Sequence, residues 1–127
     1  MKWVKQSVGY WCDDIKQGRC IGQGVCVALL DTGIARHPDL KGSVVKFCDF
    51  TKEGSLPGEK CYDDSGHGTH VAGILCGSGK VSAGAYAGMA PKAKLVVGKV
   101  LDKDGNGDVS HVMKGIEWIL KERKIGR

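Results

Sequence analysis

An α/β fold, with a parallel β-sheet flanked by helices, is predicted by three features of the sequence. The apolar run CVALL stops abruptly at Asp31, GHGTHVAGIL opens a small-residue helix at His67, and DVSHVMKGIEWIL repeats apolar residues at helical spacing. Short apolar runs alternating with helical patterns suit parallel strands, which are covered on both faces.

Taken in order, residues 1–23 read as an amino-terminal arm, with Trp3, Val4, Val8 and Trp11 as apolar anchors. Cys26 to Leu30 form a buried strand ending at Asp31, and Cys26 is expected to behave as a small buried hydrophobe. Thr32 to Leu40 then turns the chain away from the sheet, with His37 in a structural role. SVVKFCDF, Ser43 to Phe50, is rich in β-branched and aromatic residues and reads as a second strand. Thr51 to Asp64 is a polar surface loop delivering the chain to His67, with Asp63 and Asp64 placed to hydrogen-bond near the helix start.

Leu95 to Leu101 form a third strand, and Gly98 within it marks a close approach by another group. In the last helix, Val109, Val112, Met113, Ile116, Ile119 and Leu120 share one face, expected to pack on the sheet, while Asp108 or Ser110 caps its start. Trp118 is a packing residue.

The chemistry concentrates at two positions. His67 sits among glycines at a helix start, so its ring faces out of the core, and Asp31 sits at the carboxyl end of a strand, where sites of open α/β sheets gather. A carboxylate accepting from one imidazole nitrogen fixes the tautomer and stabilises the imidazolium, leaving the other nitrogen to take a proton from a nucleophile. Other arrangements fit less well. HGTH spaces His67 and His70 like a metal pair but has no evident third ligand. Asp102 to Asp108, DKDGNGD, matches the start of an EF-hand loop, but Met113 stands where the bidentate glutamate belongs.

These blocks, DTG after an apolar strand, HPDL, GHGTHVAG, GMAPKA and KVLDKDGNG followed by GIEWIL, resemble the subtilisin-like serine peptidases in order and spacing from Gly22 to Leu120. The resemblance implies a partial subtilisin-like three-layer fold, truncated before the serine-bearing part. Residues 24–127 would be the amino-terminal portion of the catalytic domain, incomplete, because no GTSM-like block with its nucleophilic serine and no oxyanion asparagine follow His67. It implies peptide-bond hydrolysis by an Asp/His/Ser triad, with Asp31 and His67 as the catalytic members present and the chain inactive alone. Gly105, Asn106 and Gly107 would pair with an extended polypeptide substrate, and Val109 and Val112 would help line a side-chain pocket. The chemistry requires no cofactor. Structural calcium is a further implication, through Asp39; an aspartate in a proline turn is the other reading of that residue. A non-catalytic peptide-binding module is the alternative function.

Composition bounds the partners. The net charge of +5 is dispersed, and the one basic cluster, KERKIGR, suits a solvated helix end, where cations are favoured; no aromatics interleave with it, so nucleic acid is not expected. No stretch approaches the ~18 apolar residues of a membrane span, so no membrane partner is expected. Six cysteines with no signal-like leader read as reduced thiols in a cytoplasmic chain, or as a disulfide set in a secreted one had a signal and propeptide been removed. An unpaired sheet edge and an uncovered helix face lead us to expect self-association, which a sharp monomeric thermal transition would contradict.

Overall fold

The computed structural model describes residues 21–52 and 60–125. Trp3, Val4, Val8 and Trp11 of the amino-terminal arm, Cys12 and Cys20, and part of the loop before His67 lie outside the described residues.

The elements run β1 (Cys26–Asp31), a 3-10 turn (Pro38–Leu40), β2 (Val44–Asp49), α1 (His67–Cys76), β3 (Lys94–Lys99) and α2 (Val109–Ile125). The strands make one parallel sheet in the order β1-β3-β2. Because side chains alternate along a strand, successive residues of β3 serve different layers. Leu95 and Val97 join Phe47, Ile34, Leu40, Ala72 and Cys76 in a core under α1. Val96 joins Cys48 and Trp118 under α2, where Phe50 meets the Trp118 ring edge-on at 5.6 Å. The two helices therefore cover opposite faces, giving three layers.

Gly98 marks the expected close approach: a Cβ there would lie 2.7 Å from Leu30 Cδ2 and 3.3 Å from the Phe50 ring. The register then carries Asp31, Lys99 and Asp49 side by side to the carboxyl end of the sheet.

Two expectations need correction. β1 is not a buried strand: Cys26 and Ala28 are exposed and Val27, Leu29 and Leu30 half-buried, because β1 lies at the sheet edge and β3 takes the centre. Cys26 is thus an exposed thiol, whereas Cys76, at the end of α1, is buried. The face of α2 that meets the sheet is also rotated from the one its periodicity suggests. Val109 is 77% exposed, Met113 54%, Ile116 42% and Leu120 53%, while Gly115 and Trp118 are buried and Val112 and Ile119 half-buried. At Gly115 a Cβ would lie 3.0 Å from Val100 Cγ1 and 3.1 Å from Leu30 Cδ2. That close contact turns the Gly115 and Trp118 line inward and leaves an apolar stripe outward.

Candidate active site

Asp31 and His67 meet at the carboxyl end of the sheet. His67 Nδ1 lies 2.8 Å from Asp31 Oδ1 and 3.1 Å from Oδ2. The Asp31 side chain is 11% exposed and the His67 side chain 65%, so the acid is enclosed and the base faces solvent. With Nδ1–H donating to the carboxylate, Nε2 is the nitrogen left for proton transfer. The hydrogen bond to Asp31 and that residue's charge, with a smaller contribution from Asp63, raise the imidazole pKa above its ordinary value.

The pairing depends on how β1 hands over to α1. Thr32 N–H donates to Asp31 Oδ1 at 2.6 Å, and Thr32 Oγ1 accepts from Gly68 N–H at 2.9 Å. A Cβ on Gly68 would stand 2.2 Å from the Gly33 carbonyl oxygen, so only glycine lets the first turn of α1 rest on the exit of β1. Asp63 fastens the other side. Its Oδ1 accepts from Thr32 Oγ1 (2.8 Å), Ser65 N–H (3.1 Å) and Gly66 N–H (2.9 Å), and its Oδ2 accepts from Thr69 N–H (2.9 Å) and Thr69 Oγ1 (2.5 Å). Burial pushes the Asp63 carboxyl up, but hydrogen bonds from Thr69, Gly66 and Thr32 outweigh it and hold the group well below the usual range. The negative charge also suits a helix amino terminus.

Beneath the pair lies a buried lysine that the motifs did not single out. Lys99 is 1% exposed, and its Nζ donates to the Thr32 carbonyl (2.7 Å), the Leu101 carbonyl (2.7 Å) and Asp64 Oδ1 (2.8 Å). The same ammonium sits 5.3 Å from the centre of the Tyr62 ring. Tyr62 in turn donates its hydroxyl to Asp49, whose other oxygen accepts from Thr51 N–H (2.8 Å) and Thr51 Oγ1 (2.6 Å). Burial and the bond to Asp49 push the Tyr62 phenol up to about 12. A charge at the end of the apolar run LVVG was the available signal, since buried lysines are rare without partners.

Past β3, Val100 N–H and Leu101 N–H both donate to the Asp31 carbonyl, at 3.0 and 3.2 Å, so the following loop starts against the acid's own backbone. Asp102 Oδ1 closes that loop by accepting from Asp104 N–H and Asn106 N–H, each at 2.9 Å. Gly105, Asn106, Gly107 and Val109 are exposed beyond it and Val112 is half-buried. Asp108 is the residue that caps α2, accepting from Ser110 N–H at 2.9 Å and Ser110 Oγ at 3.0 Å.

The remaining candidates lie on the other side of α1. His37 caps the 3-10 turn, its Nδ1 accepting from Asp39 N–H at 3.1 Å. Asp39 Oδ1 accepts from Val81 N–H at 3.0 Å. His37, Asp39, Asp63, Thr69, His70 and Tyr86 are among the residues around an open groove of about 530 Å³ there. Among the described residues, no cluster of three or more His, Cys, Asp or Glu side chains could hold a metal ion.

A shielded carboxylate holding an exposed imidazole at the carboxyl edge of a parallel sheet is the acid and base geometry of triad hydrolases. The pattern of the Subtilase family matches residues 22–125, and the chain belongs to that family. It is 44% identical over 108 residues to serine protease AprX of Bacillus subtilis (strain 168), an alignment covering 84% of this chain and 24% of that protein. To the intracellular serine protease of Paenibacillus polymyxa it is 39% identical over 103 residues, 80% of this chain and 31% of that one. Among solved structures it superposes on Sphericase with a TM-score of 0.75 and 34% identity, over 83% of this chain and 34% of that chain. A cold-adapted subtilisin-like serine proteinase gives a TM-score of 0.65 and 32% identity, over 80% of this chain and 33% of that chain. The chain thus spans between 24% and 31% of the length of these two curated relatives.

Proposed function

We propose that these residues supply the acid and base of a subtilisin-class serine endopeptidase, the nucleophilic serine coming from polypeptide outside the 127 residues. The observation that carries this reading is the 2.8 Å contact between His67 Nδ1 and Asp31 Oδ1. In the reaction, His67 Nε2 takes the serine hydroxyl proton as that oxygen attacks the scissile carbonyl carbon. The resulting imidazolium is stabilised by Asp31 and delivers the proton to the leaving amine nitrogen as the peptide C–N bond breaks. A water molecule then repeats the sequence on the acyl-enzyme, returning the proton to the serine.

The substrate is an extended polypeptide running along Gly105, Asn106 and Gly107, whose exposed backbone groups pair with it as an added strand. Val109 and Val112 contribute to the pocket for a side chain upstream of the cleaved bond. The start of this loop against the Asp31 carbonyl supports the assignment, because it keeps the pairing segment next to the reacting groups.

The test compares hydrolysis of a chromogenic peptide by the 127-residue chain and by the same residues made continuous with the serine-bearing part of a subtilase. Turnover is expected only from the second. Turnover by the first that disappears in His67→Ala would contradict the assignment of the nucleophile, and an inert but folded second polypeptide would contradict the assignment of the activity.

A further inference from the structure

Calcium at Asp39 is implied by the subtilisin-like resemblance, and the groups around this carboxylate test that implication. Protein calcium sites gather six to eight oxygen ligands, usually with more than one carboxylate. Here Asp39 Oδ1 faces a hydrogen-bond donor, the Val81 N–H at 3.0 Å, and the Asp39 carbonyl accepts from Ser78 N–H at 2.8 Å. The facing segment, residues 77–88, contains no aspartate or glutamate and has a single charged residue, Lys80. Its own polar groups are used within the loop: Ser78 Oγ accepts from Lys80 N–H (3.3 Å), Ser82 Oγ from Tyr86 N–H (3.0 Å), and the Gly79 carbonyl from Gly84 N–H (2.7 Å). The donor set does not fit calcium.

We propose that Asp39 is instead a metal-free staple, its carboxylate holding the 77–88 loop against the 3-10 turn through the Val81 amide. An N–H donor occupies one of the oxygens a cation would need, and the facing loop brings no carboxylate of its own. The loop's position along α1 is completed by Gly88 N–H donating to the Gly77 carbonyl (2.8 Å) and Met89 N–H to the Ile74 carbonyl (2.9 Å). This inference does not depend on the proposed peptidase activity.

Thermal melting of the full chain in millimolar calcium and in EDTA, combined with residue-resolved amide hydrogen exchange, tests it. The midpoints are expected to agree within about 1 °C, since an ion without a site gives no linkage. In Asp39→Ala the Val81 amide should exchange about tenfold faster or more, while Ser78, held by the Asp39 backbone carbonyl, keeps its protection. Asp39→Asn, whose amide oxygen still accepts, should retain most of the Val81 protection, and it decides the matter if the alanine variant does not fold. A calcium-induced rise of several degrees that is lost in either variant overturns the proposal, as does Val81 exchange unchanged in Asp39→Ala. A rise surviving both substitutions assigns the ion elsewhere and supports a metal-free Asp39.

Discussion

Replacing His67 by alanine will lower kcat by about 10⁶-fold in a polypeptide that joins these residues to a subtilase serine block, the loss known for subtilisin itself. Without the imidazole nothing takes the serine proton, and the loss approaches that of removing the whole triad, because its members act as a unit. Asp31→Asn should cost less, about 10⁴-fold, since a base remains but its tautomer and the imidazolium are no longer supported. Steady-state rates on a peptide anilide check both values. A loss below about tenfold for His67→Ala would remove this residue from the role of base.

Lys99→Met will lower stability by about 3 kcal/mol, as expected for leaving two enclosed carbonyls without their donor at about 1–3 kcal/mol each. Methionine fills similar volume, so the loss is one of hydrogen bonding. The Thr32 and Leu101 carbonyls lose their donor inside the protein, whereas Asp64, its side chain 46% exposed, recovers water. For a domain of this size that corresponds to a fall in melting temperature of about 10 °C. Calorimetry decides: a shift below about 2 °C would show that the buried ammonium does not secure the strand ends. Because the Thr32 carbonyl belongs to the segment that leaves Asp31, the same variant should weaken the pairing with His67.

The parallel strands and the two helices were legible because apolar runs and helical periodicity report burial directly, and the site pair was legible because Asp31 and His67 each interrupt such a pattern. The central place of β3 in the sheet explains why β1, equally apolar, lies half in solvent. The face of α2 was misjudged because periodicity selects the most apolar arc, whereas Gly115 and Trp118 face the sheet through close approach and size. Asp63 was expected to hydrogen-bond near the helix start and does so, but its full set of partners and those of Lys99 were beyond sequence reading. Their partners, Thr32, Asp64, Thr69 and Leu101, come together only once the sheet register and the helix start are set.

The central claim is that Asp31 and His67 form one acid and base unit, and an NMR titration of the His67 ring in the unaltered chain and in Asp31→Asn tests it most directly. A raised folded-state pKa means that the imidazolium pair stabilises the fold below the ordinary histidine pKa of about 6.5, and that this stabilisation is lost as pH rises through the folded value. The account predicts a His67 midpoint above that ordinary value, falling back in Asp31→Asn. A midpoint at or below about 6.5 that does not move when Asp31 is neutralised would contradict it.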